Sequence, residues 1–256
     1  MPFTLIAHRG SSHLAPENTL ASLQLGWRET AICEIDIRPT LEGRLLVIHD
    51  ETTKRTTGVD FKVADHSLND LRKLDAGAWK GAQWQGEKLP TLEEVIAAIP
   101  AGKQLLIEIK AGPEVMPELK RVIRASGKEK QVLLQSFGFP TCVAARKVFP
   151  RLPVHLLVAA LHHPLTGAWS PSIVKAAAKA QKAGLHGMGA NDTPLVDASS
   201  VQKLHSAGMK MNIWTVDEVD AAQRLIALGV DGLITNRPGW LKAQLLRKKG
   251  ADIARM

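Results

Sequence analysis

Short apolar stretches with strand character alternate with helix-like patterns along nearly the whole chain. Eight such strand candidates fall near residues 3–8, 32–38, 105–110, 132–136, 154–159, 185–189, 211–215 and 231–235. In the second half, Gly184, Gly208 and Gly229 each separate a helix pattern from the next strand, and glycine there allows the left-handed backbone that ends a helix. Eight strands alternating with helices over 256 residues favour a (β/α)8 TIM barrel over a doubly wound sheet.

The composition is that of one folded domain, which we expect to span residues 1–256. Hydrophobic residues make up 45% of the chain, enough for a sizeable core and unlike a disordered chain. TIM barrels commonly contain about 250 residues, so the length leaves room for one barrel and a short insertion. No apolar run approaches the roughly 18 residues that a membrane span needs, and we therefore expect no integral membrane association.

Charge and cysteine content narrow the setting in which the protein works. The net charge of +8 is compatible with several kinds of anionic partner. No basic run is interleaved with aromatic residues, so we do not expect nucleic-acid binding. The first residues lack the pattern of a secretory signal, and Cys33 and Cys142 provide no disulfide framework. We therefore expect a cytoplasmic protein, and the sequence leaves its oligomeric state open.

The alternation of strands and helices is interrupted between residues 39 and 90. This stretch contains a further strand-like run at 45–50 and then a polar region, rich in Gly and Trp, without a long helix pattern. Because Glu42-Gly43 indicates a turn, we expect residues 35–37 and 45–48 to pair as a hairpin. The segment 39–90 is therefore interpreted as a small insertion after the second barrel strand. Insertions at that end of a barrel lie beside the active site.

Two carboxylates share one face of the second strand candidate. Side chains alternate along a strand, so Glu34 and Asp36 point to one side while Cys33, Ile35 and Ile37 point to the other. If the apolar side faces the helices, both carboxylates enter the barrel, where a cation would offset their repulsion. The alternative is an edge strand whose polar face lies in water.

The next barrel strand repeats this pattern with Glu108 and Lys110 on one face. Parallel neighbours would bring Glu108 close to Glu34 and Asp36. Three carboxylates form an oxygen-rich site suited to Mg²⁺ or Ca²⁺ rather than zinc. An internal Glu–Lys salt bridge without any ligand is the alternative.

Two histidines follow strand candidates and suit proton transfer near neutral pH. His8 is followed by Arg9, whose guanidinium can bind two phosphate oxygens, and His49 follows the strand-like run in the insertion. Such a pair can supply a base on one side of a phosphorus and an acid on the other. Trp214 ends another strand, where it would form either a substrate wall or part of the core.

Motifs in a fixed order extend through nearly the whole chain and resemble those of the glycerophosphodiester phosphodiesterase family, bacterial cytoplasmic type. The matching segments are His8-Arg9-Gly10, Pro16-Glu17-Asn18-Thr19, Glu34-Ile35-Asp36, His49-Asp50, Leu74-Asp75-Ala76-Gly77, Leu89-Pro90-Thr91-Leu92, Glu108-Ile109-Lys110, Gln135-Ser136-Phe137, Trp214-Thr215-Val216 and Gly229-Val230-Asp231-Gly232-Leu233-Ile234-Thr235. Each motif alone is unspecific, but their conjunction and order are highly specific.

The resemblance implies a metal-dependent enzyme that hydrolyses glycerophosphodiesters to sn-glycerol 3-phosphate and an alcohol. It implies one divalent cation, Mg²⁺ or Ca²⁺, and a route in which a neighbouring glycerol hydroxyl attacks phosphorus to give a cyclic phosphate that water opens. The implied roles are metal ligands for Glu34, Asp36 and Glu108, an acid–base pair for His8 and His49, phosphate contacts for Arg9 and Lys110, and pocket walls for Phe137 and Trp214.

The chain departs from the family pattern at two positions, Asn236, where the family often has Asp, and Asp217, where Asn is frequent. Two alternatives remain at this point. One is a phospholipase D-like lipid phosphodiesterase of the same barrel family, for which neither an exposed apolar lip nor an export signal is evident. The other is a non-catalytic phosphate-binding barrel, which would have lost a metal ligand or an acid–base residue, whereas all five are present.

Overall fold

Eight parallel strands close into a barrel in the computed structural model, which describes the backbone of residues 3–253 and the side chains of residues 3–247. The strands of the chain are β1 (Thr4–Ala7), β2 (Ile32–Pro39), β3 (Leu45–Val47), β4 (Gln104–Ile109), β5 (Val132–Ser136), β6 (Val154–Val158), β7 (Leu161–His162), β8 (Trp169–Ser170), β9 (Gly187–Asn191), β10 (Lys210–Trp214) and β11 (Gly232–Thr235). The barrel runs in the order β1, β2, β4, β5, β6, β9, β10, β11 and back to β1. The predicted (β/α)8 TIM barrel is confirmed.

Helices on the outside of the barrel connect most of its strands. The α-helices of the described chain are α1 (Leu20–Glu29), α2 (Lys54–Thr57), α3 (Leu68–Leu71), α4 (Leu92–Ala98), α5 (Met116–Ala125), α6 (Phe139–Val148), α7 (Ile173–Lys182), α8 (Ala198–Ser206), α9 (Val219–Leu228) and α10 (Pro238–Ile253). Of these, α2 and α3 lie between β3 and α4, and α10 follows the last strand. Gly184, Gly208 and Gly229 follow α7, α8 and α9 with φ of 70°, 70° and 85°, the left-handed backbone expected of them. No helix of the described chain is long and apolar enough to cross a membrane.

The strand alternation places apolar and acidic side chains on opposite sides of β2. Cys33, Ile35 and Ile37 are buried in the main core between the strands and the helices. Glu34 and Asp36 therefore point into the barrel, with exposures of 1% and 0%. The alternative of an edge strand with a solvated polar face is wrong, because β2 pairs with β1 on one side and with β4 on the other.

Between β2 and α4 the chain leaves the barrel pattern and forms the segment in which we predicted an insertion. β3 pairs antiparallel with β2, with Ile37 opposite Val47, as the hairpin prediction requires. Short helical turns follow, and they enclose a small apolar cluster of their own. That cluster contains Leu46, Ile48, Val63, Leu71, Ala76 and Leu89. Lys80 connects the segment to the loop after β1 by donating to the carbonyl oxygen of Ser12 at 2.8 Å. The first two and last three residues of the predicted domain lie outside the described residues.

Candidate active site

A cavity of about 270 Å³ opens at the end of the barrel where the strands terminate at their carboxyl ends. Its walls are formed by His8, Arg9, Glu34, His49, Glu108, Lys110, Gln135, Phe137, Leu157, Trp214, Thr215 and Ile234. Every site residue predicted from the sequence lies in these walls except Asp36, which is fully buried and contacts Arg9 and Lys110. The structure thus brings together residues from β2 and β4, from the ends of β1 and β10, and from the segment that follows β3.

Three carboxylates cluster at this cavity, with Glu34 and Glu108 in its walls and Asp36 buried next to them. The register of β2 and β4 sets Asp36 directly opposite Glu108, and Glu34 precedes Asp36 by two residues on the same face. Each of the three offers an oxygen, and these oxygens all lie within 4.8 Å of one another. Glu34 also accepts hydrogen bonds from the backbone N–H of Arg9 at 3.1 Å and from the Gln135 amide at 3.4 Å.

The three carboxylates are buried and repel one another, and both effects change their pKa values. Burial, reinforced by Asp36 and Glu108, raises the pKa of Glu34 well above its usual range. Burial and the neighbouring Asp36 raise the pKa of Glu108 to about 7. Burial opposes ionisation of Asp36 as well, but Arg9 and Lys110 lower its pKa. A divalent cation at the centre of the three oxygens would favour the ionised form of all of them.

The chemistry of the donor set fits a hard cation. Glu34, Asp36 and Glu108 offer carboxylate oxygens alone, with no nitrogen or sulfur donor in the group, and this matches the preference of Mg²⁺ and Ca²⁺. Two of these carboxylates already attract a cationic group, since Lys110 Nζ lies 3.2 Å from Asp36 Oδ1 and 2.6 Å from Glu108 Oε1.

Arg9 lies beside the carboxylates and is fixed by an unusual local backbone. Its φ is +55°, and Asn18, nine residues later, has φ of +58°, a region that residues other than glycine seldom adopt. The Arg9 guanidinium contacts Glu17 at 2.8 Å and Asp36 at 3.1 Å. Asn18 is bound to Asp36 twice, since its amide donates to Oδ2 at 2.9 Å and its oxygen accepts the Asp36 backbone N–H at 3.2 Å. Both strained residues therefore serve to orient Asp36.

His8 meets an amide group rather than a carboxylate. Its Nδ1 lies 2.7 Å from Asn236 Oδ1. Asp217 accepts the Asn236 amide hydrogen at 2.6 Å, which fixes the amide so that its oxygen faces the imidazole. Nδ1 of His8 is then the donor, and Nε2 is left as an acceptor. Burial, followed by the charge of Arg9, lowers the pKa of His8 to about 4, so the imidazole is neutral at pH 7.

His49 is bound instead to a carboxylate, within a chain of charged groups. Its Nδ1 lies 2.6 Å from Asp50. Arg55, on α2, donates to Asp50 at 2.6 Å and to both oxygens of Glu17 at 2.8 Å. Hydrogen bonds from Arg55 lower the pKa of Asp50 and keep it ionised. Burial lowers the pKa of His49, while the charge of Asp36 and the Asp50 hydrogen bond oppose that shift. Since Glu17 also binds Arg9, Arg55 connects the two ends of the site.

Aromatic side chains form the outer wall. Phe137 and Trp214 meet edge to face with ring centroids 5.6 Å apart, and Lys110 Nζ lies 5.9 Å from the Phe137 centroid. Phe137 is 45% exposed, which is unusual for phenylalanine and leaves its ring free to contact a ligand. Trp214 belongs to both environments proposed for it, because it lines the cavity and also packs on the small inner cluster that contains Ile6 and Leu106.

Several residues of the site were not identified from the sequence as functional. Three of them, Glu17, Asn18 and Asp50, lie within the family motifs named above. Membership of those motifs was the only indication in the sequence that they belong to the site. Gln135 likewise precedes Phe137 by two residues and therefore points into the barrel. Arg55 carried no signal, because it lies outside those motifs and its contact with Glu17, 38 residues away along the chain, is made only in the folded protein.

Comparison with known proteins identifies a family whose match includes all the residues of this site. Residues 8–240 match the model of the glycerophosphoryl diester phosphodiesterase family. A glycerophosphodiester phosphodiesterase of Caldanaerobacter subterraneus is 35% identical over 257 residues, covering 98% of this chain and 100% of that protein. A glycerophosphodiester phosphodiesterase of Bacillus subtilis is 32% identical, covering 91% of this chain and 83% of that protein.

A solved structure provides the corresponding comparison in three dimensions. The phosphodiesterase of Oleispira antarctica, in complex with the product sn-glycerol-3-phosphate, superposes with a TM-score of 0.83. The two sequences are 28% identical, and the alignment covers 95% of this chain and 96% of the other.

Proposed function

This chain belongs to the glycerophosphoryl diester phosphodiesterase family and hydrolyses glycerophosphodiesters, and we propose that it does so with one divalent cation and two histidines at the barrel mouth. The observation that carries this proposal is the cluster of three buried carboxylates in the same cavity as two imidazoles. The products are sn-glycerol 3-phosphate, which is bound in the Oleispira antarctica structure, and an alcohol.

Glu34, Asp36 and Glu108 would hold the cation. When bound, it supplies positive charge that offsets the charge developing on the phosphate oxygens. Its donor set is made of oxygens alone, and this supports Mg²⁺ or Ca²⁺ over zinc. Arg9 and Lys110 lie at the edge of the same cluster, so we assign them to the non-bridging phosphate oxygens.

The different partners of the two histidines support different roles. His8 is neutral at pH 7 with Nε2 free to accept, so we assign it as the base that takes the proton of the attacking glycerol hydroxyl. His49 has the ionised Asp50 at its Nδ1, and this carboxylate favours the imidazolium form against the burial that lowers the pKa of His49, so we assign His49 as the acid that protonates the departing alkoxide. The two roles reverse when water opens the cyclic phosphate.

The substrate and setting follow from the same features. A cavity of about 270 Å³ accommodates a small-molecule diester, and Phe137 and Trp214 provide apolar surface for its carbon atoms. Both cysteines, Cys33 and Cys142, are free and buried, which supports a reducing, cytoplasmic setting.

Release of glycerol 3-phosphate from several glycerophosphodiesters, with and without divalent ion, tests this proposal. Substituting either histidine, as His8→Ala or His49→Ala, is expected to lower kcat by at least about 100-fold while the melting temperature stays close to that of the wild type. Chelation is expected to abolish turnover, and Mg²⁺ or Ca²⁺ to restore it. Near-normal turnover by either variant removes that histidine from the mechanism. Full turnover in excess chelator, with no metal in the protein, contradicts the assignment of the carboxylates.

A further inference from the structure

A second, larger groove continues from the catalytic cavity across the carboxyl end of β6. It encloses about 780 Å³ and shares two walls with the cavity, the side chains of Phe137 and Leu157. Its outer walls are formed by the first turn of α6, the two-stranded β7–β8 hairpin and α7. The aromatic, hydroxyl-bearing and cationic residues of these outer walls are Phe139, Trp169, Ser172, Lys175 and Lys179. The groove therefore adjoins the catalytic cavity on the side of Phe137, where one of the two alcohol groups of a bound diester could lie.

The charges along the groove are all of one sign. Lys175 and Lys179 lie on the exposed side of α7 and line it, whereas no aspartate or glutamate does. Neither lysine forms an ion pair within the described part of the chain. Two helices of ten residues, α6 and α7, also begin at the groove, and helix N-termini carry partial positive charge. An anionic group would thus be attracted, and a cationic group repelled.

One of the three aromatic side chains that line the groove is already covered by a lysine. Quaternary ammonium groups bind to proteins on open aromatic faces. The face of Phe139 is already occupied, since Lys179 Nζ lies 3.9 Å from its ring centroid. A choline group in the groove would therefore meet two lysines that form no ion pair in the described part of the chain, and the face of Phe139 is closed to it.

We propose that this groove binds the leaving alcohol of the diester and that the preferred alcohol carries an anionic group, such as a phosphate. The inference rests on the proposed function and adds the substrate class to it. Lys175 and Lys179 would contact the anionic group, and Phe137 and Trp169 the body of the alcohol. An acyl chain would gain nothing from two lysines and two helix N-termini, although Leu161 and Leu165 of the adjoining hairpin are 67% and 90% exposed.

Two substrates that differ by a single phosphate test the proposal. These are glycerophosphoinositol and glycerophosphoinositol 4-phosphate, with glycerophosphocholine as the cationic comparison. At low ionic strength, kcat/KM of the wild type is expected to be at least about 10-fold higher for the phosphorylated substrate, and the preference is expected to shrink as salt is added. Glycerophosphocholine is expected to be the poorest of the three.

Substitutions on α7 test whether that substrate preference arises from the groove. The double variant Lys175→Gln/Lys179→Gln is expected to hydrolyse glycerophosphoinositol as the wild type does and to lose most of the preference for the phosphorylated substrate. Lys182→Gln is the matched control, because Lys182 lies on the same helix and is exposed but does not line the groove. It is expected to retain the full preference.

The possible outcomes distinguish failure of the groove proposal from failure of the proposed phosphodiesterase function. Equal kcat/KM for the two inositol substrates, or a preference that survives in the double variant, overturns the groove proposal while leaving the phosphodiesterase activity in place. A preference for lysophosphatidylinositol over both inositol substrates, unchanged in the double variant, identifies an acyl site and also overturns it. If the wild type hydrolyses none of the diesters in the presence of Mg²⁺ or Ca²⁺, the proposed function fails, and the groove proposal fails with it.

Discussion

At the residue scale, the two positions that depart from the family pattern are in direct contact. Asn236 donates to Asp217 at 2.6 Å, and the Asp217 carboxylate also accepts the backbone N–H of Asn236 at 2.8 Å. The family often has the acid at the first position and the amide at the second, so this chain retains one amide and one carboxylate in exchanged places. The exchange leaves His8 beside a neutral group, which removes a charge that would otherwise favour its imidazolium form.

Restoring the common order at these positions is expected to raise the pKa of His8. The double variant Asn236→Asp/Asp217→Asn places a carboxylate against Nδ1 of His8 and keeps one amide next to one acid. The acid limb of the kcat/KM profile, which reports groups of the free enzyme, should then move up from near pH 4 by about 1 unit or more. Asp217→Asn alone is the control and should not produce this upward move. If the acid limb of the kcat/KM profile does not move in the double variant, the titration of His8 is not what produces that limb.

Arg55 is the residue whose contacts most directly connect the two halves of the site. It binds Asp50, which holds His49, and Glu17, which holds Arg9. Its guanidinium donates two hydrogen bonds to each carboxylate, and an ammonium with three N–H groups cannot reproduce all four.

Arg55→Ala is therefore expected to lower kcat about 10-fold, with a smaller change in KM, because His49 loses the support of its Asp50 partner. Arg55→Lys should recover part of the loss, since an ammonium can bind one of the two carboxylates. Arg44→Ala serves as the control, because Arg44 binds Glu93 and Glu118 away from the cavity. Equal losses in kcat for the Ala variants of Arg55 and Arg44 would show a general effect on folding rather than on His49.

At the scale of elements, periodicity predicted the strands well. All eight barrel strands lie within about two residues of the positions predicted from apolar runs, because a buried parallel strand requires a continuous apolar segment. The β2–β3 hairpin was also predicted, from its turn residues. The β7–β8 hairpin was not, since strands of two residues carry no period. Likewise, α2 and α3 span four residues each, which is too short for an amphipathic pattern.

The start of α4 provides a prediction about stability alone. The Thr91 hydroxyl accepts the backbone N–H of Glu94, and the Glu94 carboxylate accepts the backbone N–H of Thr91, which completes a capping box. Thr91→Ala removes one of these bonds and is expected to lower the free energy of unfolding in urea by about 1 kcal/mol, with kcat unchanged. Thr91→Ser keeps the hydroxyl and should retain most of the stability. A variant without the hydroxyl that unfolds at the wild-type urea concentration would contradict this role.

At the scale of the whole molecule, the sequence predicted which residues lie together at the barrel mouth, but not which groups hold them in position. Glu34, Asp36, Glu108 and His8 could be placed together because each lies on or just after a barrel strand, and the fold brings such positions together. The groups that hold them depend on the path of loops. Asn18 reaches Asp36 only because the loop before α1 folds back over the barrel with positive φ, which no local pattern in the sequence specifies.

A buried histidine that does not line the catalytic cavity makes stability depend on pH. His155, on β6, is 2% exposed, and burial lowers its pKa to about 4. The unfolded chain, with a pKa near 6.5, then binds more protons than the folded chain between about pH 6.5 and pH 4. The free energy of unfolding should therefore be fully retained above about pH 6.5 and fall by up to roughly 3 kcal/mol as the pH drops to about 4.

His155→Gln should reduce this fall, because glutamine does not titrate. Urea unfolding at pH 7 and at pH 4.5 measures the loss for the wild type and the variant, and comparing the two losses cancels any constant cost of the substitution. An equal loss in both proteins would mean that other groups account for the acid sensitivity. His8, which also has a pKa of about 4, is expected to contribute the part that remains.

His49 follows β3, which is joined to the barrel edge by antiparallel pairing and is not one of the eight parallel strands. The barrel proper supplies the three carboxylates, Arg9, Lys110 and one imidazole, and the segment between β2 and α4 supplies the other imidazole. In evolutionary terms, the residues proposed to bind and one of the two histidines proposed to transfer protons can therefore be inherited separately. Under the proposed roles, a descendant that exchanged this segment would keep all the residues assigned to the cation and the phosphate while losing one of the two imidazoles assigned to proton transfer. Such an exchange would be a short route from a hydrolytic barrel to one that only binds.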